Sequence, residues 1–357
     1  MVNLNFKLQR VISVLNKICI KGMSEIELQT WCLELGQSKY RGKQLYEWMY
    51  RHGIVSFEKM TNINKTFRDY IKENCIICTL HVEKIVPSNI DESIKILFRT
   101  HDENFIETVS MIDGDRHTVC ISSQVGCGLD CKFCETGRMG LKRNLSAGEI
   151  VDQLLFVKNY QTQLITNVVF MGMGEPFHNY ENVINASNIF HSPLGFNLAA
   201  SRITISTVGI LPKIKKFINE KHKYKLAISL NASNDLVRSK IMPINKKWKI
   251  EDLILVGKEY SKLKKRQVMF EYVLLKDIND SEDDAHQLAN LLKDVSCKLN
   301  IIPYNETEGC FQRTEEKNIM RFSKILHNYR GKFRVLIRWS KGQDINAGCG
   351  QLAVQNA

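Results

Sequence analysis

Gly126-Cys127-Gly128-Leu129-Asp130-Cys131-Lys132-Phe133-Cys134 packs three cysteines into one short run of this chain. Thiolates at this C-x3-C-x2-C spacing can converge on one metal centre. A strand-like stretch (118–122) precedes the run and a helix-like stretch (147–160) follows it, which reads as a loop at one end of a strand. Three protein ligands leave one iron of a 4Fe-4S cube free to chelate a small molecule. A zinc knuckle is the competing reading. A structural zinc takes four ligands, however, and only His117 and Cys120 lie nearby, neither at a standard spacing.

Outward from this loop the chain alternates strand and helix. Strands are expected at 118–122, 167–171, 202–206, 225–231, 267–274, 298–303 and 333–338. Helices are expected between them at 147–160, 181–190, 211–220, 250–263, 282–292 and 315–329. Ser146 and Glu149 stand at capping-box spacing before the first helix. Such alternation implies parallel strands with crossover helices, and six or so units fit an α/β fold of the partial (β/α)6 barrel type. Active-site residues then belong at the C-terminal ends of the strands. Upstream, residues 1–85 read as a small N-terminal helical accessory domain, with helical patterns at 24–35, 43–52 and 64–74. Residues 86–115 read as a β-hairpin linker, 116–340 as the barrel and 341–357 as a C-terminal loop.

Composition bounds the function. The net charge is +12 and the isoelectric point about 9.1, which favours polyanionic partners such as RNA or DNA. A general excess of Lys would give the same charge, so it supports nucleic-acid binding without deciding it. In the accessory block, Lys39, Arg41 and Lys43 suit phosphate contact. Trp48, Tyr46 and Tyr50 read as the core of a helical domain. The 11 cysteines lack the regular pattern of a secreted disulfide scaffold. The opening residues 1–7 lack a basic then apolar leader pattern, and no apolar stretch approaches the ~20 residues of a membrane span. The expectation is a reduced, cytoplasmic enzyme with no membrane partner and a monomer by default.

Other motifs cluster at expected strand ends. Met171-Gly172-Met173-Gly174-Glu175-Pro176 follows the second strand, where glycines let backbone approach a ligand and Glu175 can accept hydrogen bonds from an ammonium group. Ser206, Ser229 and Asn305 end or follow the third, fourth and sixth strands; taken singly, each is as well explained as a turn or cap residue. Cys349 lies in the small-residue run Ala347-Gly348-Cys349-Gly350 after the last strand, and Cys120 lies on the first. Cys19, Cys32, Cys75, Cys78, Cys297 and Cys310 read as packing residues.

The cysteine run, with Phe133 before its last Cys, resembles the radical S-adenosylmethionine (SAM) superfamily. Thr118-Val119-Cys120-Ile121-Ser122-Ser123-Gln124-Val125-Gly126-Cys127, Arg143-Asn144-Leu145, the Met-Gly-Met-Gly-Glu-Pro segment and the Cys349-Gly350-Gln351-Leu352 ending resemble more narrowly the RlmN/Cfr family of RNA methyltransferases. Pro176 and the long N-terminal block look like the RlmN branch. The resemblance implies a radical SAM barrel, one 4Fe-4S cluster on Cys127, Cys131 and Cys134, and two SAM per turnover. It also implies methylation of C2 of an adenosine in 23S rRNA and of adenosine 37 in some tRNAs. In the implied mechanism Cys349 is methylated first, and a radical made from a second SAM activates that methyl group. The carbon then joins the adenine ring, Glu107 accepts the ring proton, and Cys120 attacks Cys349 to release the product and leave a transient disulfide. Gly174, Glu175, Ser206, Ser229, Leu230, Asn231 and Asn305 match SAM-contact positions, and a flavodoxin or ferredoxin is the implied electron donor.

Three positions depart from the family pattern. Asn231 stands where His is usual, Glu135 where a small residue is usual, and Gly348 where Ala is usual. The expected effects are loss of a titrating group, a lowered cluster potential and a looser loop. Competing expectations are the Cfr type, acting on C8, and a non-catalytic zinc-binding RNA protein. A methylthiotransferase would need a second cysteine triad, which the sequence lacks.

Overall fold

Seven of the strands expected from the alternation run parallel in one sheet. A computed structural model describes residues 17–354; the residues 1–7 read for a leader lie outside them. After β1 (Ile18–Cys19), helices α1 (Glu25–Glu34), α2 (Lys39–Tyr50) and α3 (Lys65–Asn74) form the accessory unit, and β2 (Cys75–Ile76) pairs with β1 to close it. Ser24 and Glu27 cap α1 reciprocally, as a capping box should.

Next come β3 (Leu80–Pro87), β4 (Ile94–Thr100) and β5 (Phe105–Asp113), an antiparallel meander. The barrel follows: β6 (Arg116–Cys120), then a two-stranded flap, β7 (Gln124–Cys127) and β8 (Gly140–Asn144), with the one-turn α4 (Glu135–Arg138) between them. From there the order is α5 (Ala147–Tyr160), β9 (Asn167–Phe170), α6 (Tyr180–His191), β10 (Ile203–Thr207), α7 (Leu211–Asn219), β11 (Lys225–Ser229), α8 (Asp235–Ile241), α9 (Ile250–Lys264), β12 (Val268–Leu274), α10 (Glu282–Leu292), β13 (Cys297–Pro303), α11 (Glu316–Asn328) and β14 (Phe333–Ile337). Six strand–helix units and a seventh parallel strand make the open, partial barrel. The capping box predicted at Ser146 and Glu149 starts α5.

The sheet has ten strands, because β5 pairs antiparallel with β6 and carries β4 and β3 outward. The hairpin expected over 86–115 is therefore sheet rather than linker. Its alternation read correctly as β, but pairing beyond the hairpin leaves no sequence signal. The barrel strands alternate by face. In β10, Ile203 and Ile205 are fully buried beneath the helices while Thr204 and Ser206 face inward; in β11, Leu226 and Ile228 do the same opposite Lys225, Ala227 and Ser229. One apolar core runs from Leu28, Leu45 and Met49 of the accessory unit into the barrel. Lys21 and Thr79 both bind Asp152 on α5, and Tyr50 receives the amide of Gly22. The bonds to Asp152, with Lys158 Nζ of α5 donating to the Tyr50 carbonyl at 3.2 Å, fix the accessory unit against the barrel, and the Gly22–Tyr50 bond braces the unit itself.

Candidate active site

The cysteine loop sits inside the flap rather than directly between β6 and a helix. Gly126, with φ of 71°, makes the bulge that turns Cys127 toward the barrel mouth. A side chain there would meet the carbonyl of Gly140 at 1.9 Å, so only glycine fits. Beyond Cys127, Cys134 N–H donates to Cys131 O at 3.0 Å, and Lys132 N–H to Ile241 O at 2.9 Å. These bonds shape the loop so that Cys127, Cys131 and Cys134 line one cavity of about 880 Å³.

Gly174, Glu175, Ser206, Ser229, Asn231 and Cys349 line the same cavity. The strand ends thus bring together most of the residues expected there. Glu175 is buried; its carboxylate accepts the amides of Phe177 and Val208, each at 2.9 Å. Burial nevertheless pushes its pKa up to about 7. Leu230 is wholly buried behind the wall and contributes backbone, its carbonyl accepting from Arg238 Nε at 2.9 Å. Asn305 lies off the cavity lining and donates to Cys349 O at 3.2 Å, while its own Oδ1 is buried without a partner.

A second cavity of about 1460 Å³ lies alongside, lined by Cys120, Arg338, Trp339 and Lys341. Met171, Ile302 and Cys349 belong to both walls. Burial, reinforced by Cys349, pushes the Cys120 thiol up to about 12, while Arg338 acts in the opposite direction.

Glu107 faces neither cavity. Its Oε2 accepts the amides of Ala353 and Val354 at 2.9 and 3.2 Å, and its Oε1 lies 3.2 Å from Lys95 Nζ. The exposed strand-face Glu that alternation alone would allow is excluded, since Glu107 is 2% exposed.

The departing positions also have local explanations. Asn231 has φ of 57°, a left-handed conformation that Asn tolerates, and its Oδ1 accepts Val273 N–H at 2.9 Å. Glu135 pairs with Arg138 at 3.0 Å, which offsets the charge expected to act on the cluster. Gly348 is not loose: a Cβ there would stand 2.5 Å from the Asn305 amide. In the accessory unit Tyr46 and Tyr50 are core, Lys39 is exposed, and Arg41 braces Gln44 and the Asn62 carbonyl. Cys78 and Cys310, read as packing residues, are exposed; the other four are buried.

Sequence reading missed two buried charges and the half-buried Arg338. Glu271 lines the first cavity, accepts from Asn300 Nδ2 at 2.8 Å and lies 3.7 Å from Arg338 Nη1. Arg238 is fully buried and donates to the carbonyls of Leu230, Ser229 and Val208 and to Asn245 Oδ1. Polar residues at period two within apolar parallel strands, such as Glu271 in β12, were the available signal.

Comparison with known proteins decides the family. Residues 18–77 match the ribosomal RNA large subunit methyltransferase N-terminal domain, and residues 121–289 the radical SAM superfamily. The dual-specificity RNA methyltransferase RlmN of Desulfotalea psychrophila is 40% identical over 348 residues, covering 94% of this chain and 95% of the relative. The chain belongs to the RlmN family. RlmN 2 of Myxococcus xanthus is 43% identical, over 90% of this chain and 86% of that one. A radical SAM methyltransferase crystal structure from Sphaerobacter thermophilus superposes with a TM-score of 0.89 at 41% identity, covering 94% of this chain and 98% of that one. As an RlmN-family protein the chain is a radical SAM RNA methyltransferase, and the family implies a 4Fe-4S cluster and SAM.

The cysteine cavity fits that cluster. Cys127, Cys131 and Cys134 line it together, and cysteine thiolates are the ligands a 4Fe-4S cluster takes. Burial holds Cys127 up at about 12 and Cys131 and Cys134 above their ordinary values, so these thiols need a cationic centre to stay ionised. No described helix is long and apolar enough to cross a membrane.

Proposed function

We propose that this chain methylates C2 of an adenosine in 23S rRNA and of adenosine 37 in some tRNAs, with Cys349 as a methyl relay. The observation that carries the reading is the place of Cys349 on the wall shared by the cluster-side cavity and the second cavity. A thiol there can receive a methyl group on one side and present it on the other.

A cluster on Cys127, Cys131 and Cys134 supplies the one-electron cleavage of SAM when bound. Gly174, Glu175, Ser206, Ser229 and Asn231 hold SAM from the cavity wall, with Leu230 and Asn305 supporting them. The reading calls for two SAM per turnover, one of them consumed in methylating Cys349. Glu107 takes the ring proton once the segment at Ala353 and Val354 lifts from its carboxylate. The Cys120 thiolate then attacks Cys349 sulfur: the S–S bond forms, the S–C bond breaks with its electron pair passing to the methylene carbon and the ring, and a proton taken up at that carbon makes it the methyl group of the base. A flavodoxin or ferredoxin donates the low-potential electrons. The accessory unit, with exposed Lys39 and Tyr40, meets the RNA backbone.

The test is anaerobic reaction of reconstituted protein with SAM, reductant and unmodified 23S rRNA or tRNA, followed by nucleoside mass spectrometry. 2-Methyladenosine from both RNAs is expected. 8-Methyladenosine, or no methyladenosine at all, overturns the reading. Cys349→Ala should abolish the product with iron content unchanged; product from that variant overturns the relay.

A further inference from the structure

The N-terminal mouth of the barrel carries a ring of cations that the chemistry above does not use. Residues four apart on a strand share a face, so each cavity-lining residue marks the inward position two layers below it. Arg116 lies four residues before Cys120, Arg202 before Ser206, Lys225 before Ser229, Lys298 before Ile302, and Arg334 before Arg338. On the two remaining strands the same positions are amides, Asn167 below Met171 and Gln267 below Glu271. The lower layer is thus five cations and two amides, with neither a carboxylate nor an apolar side chain.

The register confirms that these side chains meet. Lys298 and Arg334 are direct partners across β13 and β14, a like-charge opposition that costs stability. Arg202 reaches Asn167 Oδ1 at 3.4 Å. Burial and then Lys298, Arg116, Arg266 and Arg202 depress the Lys225 pKa. Among the described residues none of the five is in an ion pair. The nearest carboxylate, Asp113, stands opposite Arg116 but pairs with Lys341 at 3.1 Å. Arg116, Arg202 and Arg334 are exposed, and Arg116 also lines the second cavity that holds Cys120 and Cys349. Arg116 and the two thiols therefore line one cavity, with Arg116 about 13 Å from Cys120 along β6.

We propose that this ring is a phosphate-binding mouth through which a single RNA strand reaches the second cavity, so that the target nucleoside arrives at Cys120 and Cys349 from below. The inference rests on the RNA methyltransferase reading. A nucleic-acid strand fits better than an acidic protein surface. The cations face inward on the barrel, where a thin polyanion can thread, and they lie at the end opposite the cluster that an electron donor must reach.

The test uses the full-length, cluster-loaded protein and a fluorescent single-stranded RNA carrying the target adenosine. Arg202→Gln with Arg334→Gln is compared with Lys258→Gln with Lys262→Gln, two exposed cations on the outer helix α9. Iron content monitors folding. The mouth variant should weaken binding and flatten the plot of log affinity against log salt by about 1.4, at about 0.7 per lost single-strand phosphate contact. The α9 variant should leave the slope unchanged. Equal slopes for the mouth variant and the native protein overturn the proposal while leaving the RNA reading intact. A native protein that binds no RNA overturns both. Unchanged RNA binding with slower reduction by an acidic flavodoxin assigns the ring to the electron donor and also overturns the proposal.

Discussion

Replacing Glu107 separates two roles that the structure superimposes on one carboxylate. Its Oε2 accepts two backbone amides of the C-terminal segment, from Ala353 and Val354, and its Oε1 pairs with Lys95. A hydrogen bond to a charged group contributes about 1.5–3 kcal/mol net. Freed amides regain water, so the lower figure applies, and the two together hold the tail by about 3 kcal/mol. At about 1.4 kcal/mol per tenfold, Glu107→Ala should shift the docked-to-free ratio of residues 350–354 by roughly 100-fold. Hydrogen exchange on the C-terminal peptide reads this directly, with α5 as the unaffected reference. Glu107→Gln keeps an oxygen for the two amides but loses the charge and cannot take a proton. It should retain most of the protection, within about tenfold of the native value, while losing methylation. Native-like protection in Glu107→Ala would refute the clamp. Full turnover in Glu107→Gln would refute the role of proton acceptor.

Other perturbations test the site and its support. Gly126→Ala adds about 1–2 kcal/mol of left-handed strain to a clash with the Gly140 carbonyl; reconstituted iron per chain should fall well below the native value, and native iron content would refute the account of the bulge. Arg238→Gln strips donors from the buried carbonyl of Leu230 and the part-buried carbonyls of Val208 and Ser229, the buried orphan costing about 1–3 kcal/mol. The thermal midpoint should drop by several degrees, and an unchanged midpoint by calorimetry would count against it. Cys120→Ala should accumulate a covalent protein–RNA adduct on denaturing gels, and its absence would remove Cys120 from the resolving step. Burial lowers the His117 pKa below an unfolded value of about 6.5. The stability its neutral ring contributes is therefore whole above that value and is lost as pH falls below it; an NMR titration at or above 6.5 would refute this.

Most of the barrel was legible because its signals are local. Capping placed α5, and the helical pattern placed α10, over the residues they occupy, and the strand–helix rhythm gave the parallel order. Pairing partners are not local, so β3 and the continuation of the sheet through β5 went unread. The short α8 was missed because about two turns carry too little periodicity to register. At the site, cysteines and glycines announced themselves by spacing. Glu271, Arg238 and Arg338 did not, because an ordinary charged residue acquires meaning only from burial and from what lies opposite. Gly348 shows the converse. Composition suggested looseness, whereas packing against Asn305 makes it the residue that lets the chain come close.

The tethering of the C-terminal segment bears on how one sulfur can serve two cavities. Upstream of Cys349, Gly342 N–H is held by Asp91 at 2.9 Å and Asp344 by Ser88 and Asn89 at 2.7 Å. Downstream, the carbonyl of Gly350 accepts Glu135 N–H at 2.8 Å, and that of Leu352 accepts Thr136 Oγ1 at 2.5 Å. These two ties land on α4, which directly follows Cys134, so cluster loop and relay loop share one support, while Ala353 and Val354 beyond them dock on Glu107. No β-ladder is involved, and each neutral tie contributes only about 1 kcal/mol. Such a segment opens locally long before the barrel does. Between the two sets of ties, the Cys349 carbonyl is held by the single bond from Asn305 at 3.2 Å. Gly348 and Gln351 also bond each other across Cys349, Gly348 N–H to Gln351 Oε1 at 3.0 Å and Gln351 N–H to the Gly348 carbonyl at 3.1 Å, so the bond from Asn305 is the tie of Cys349 to the barrel whose release lets this turn move as a unit. The relay therefore depends on Asn305 being a weak partner, and its replacement by Asp, which offers the carbonyl no donor when ionised, should free the loop without emptying the cluster site.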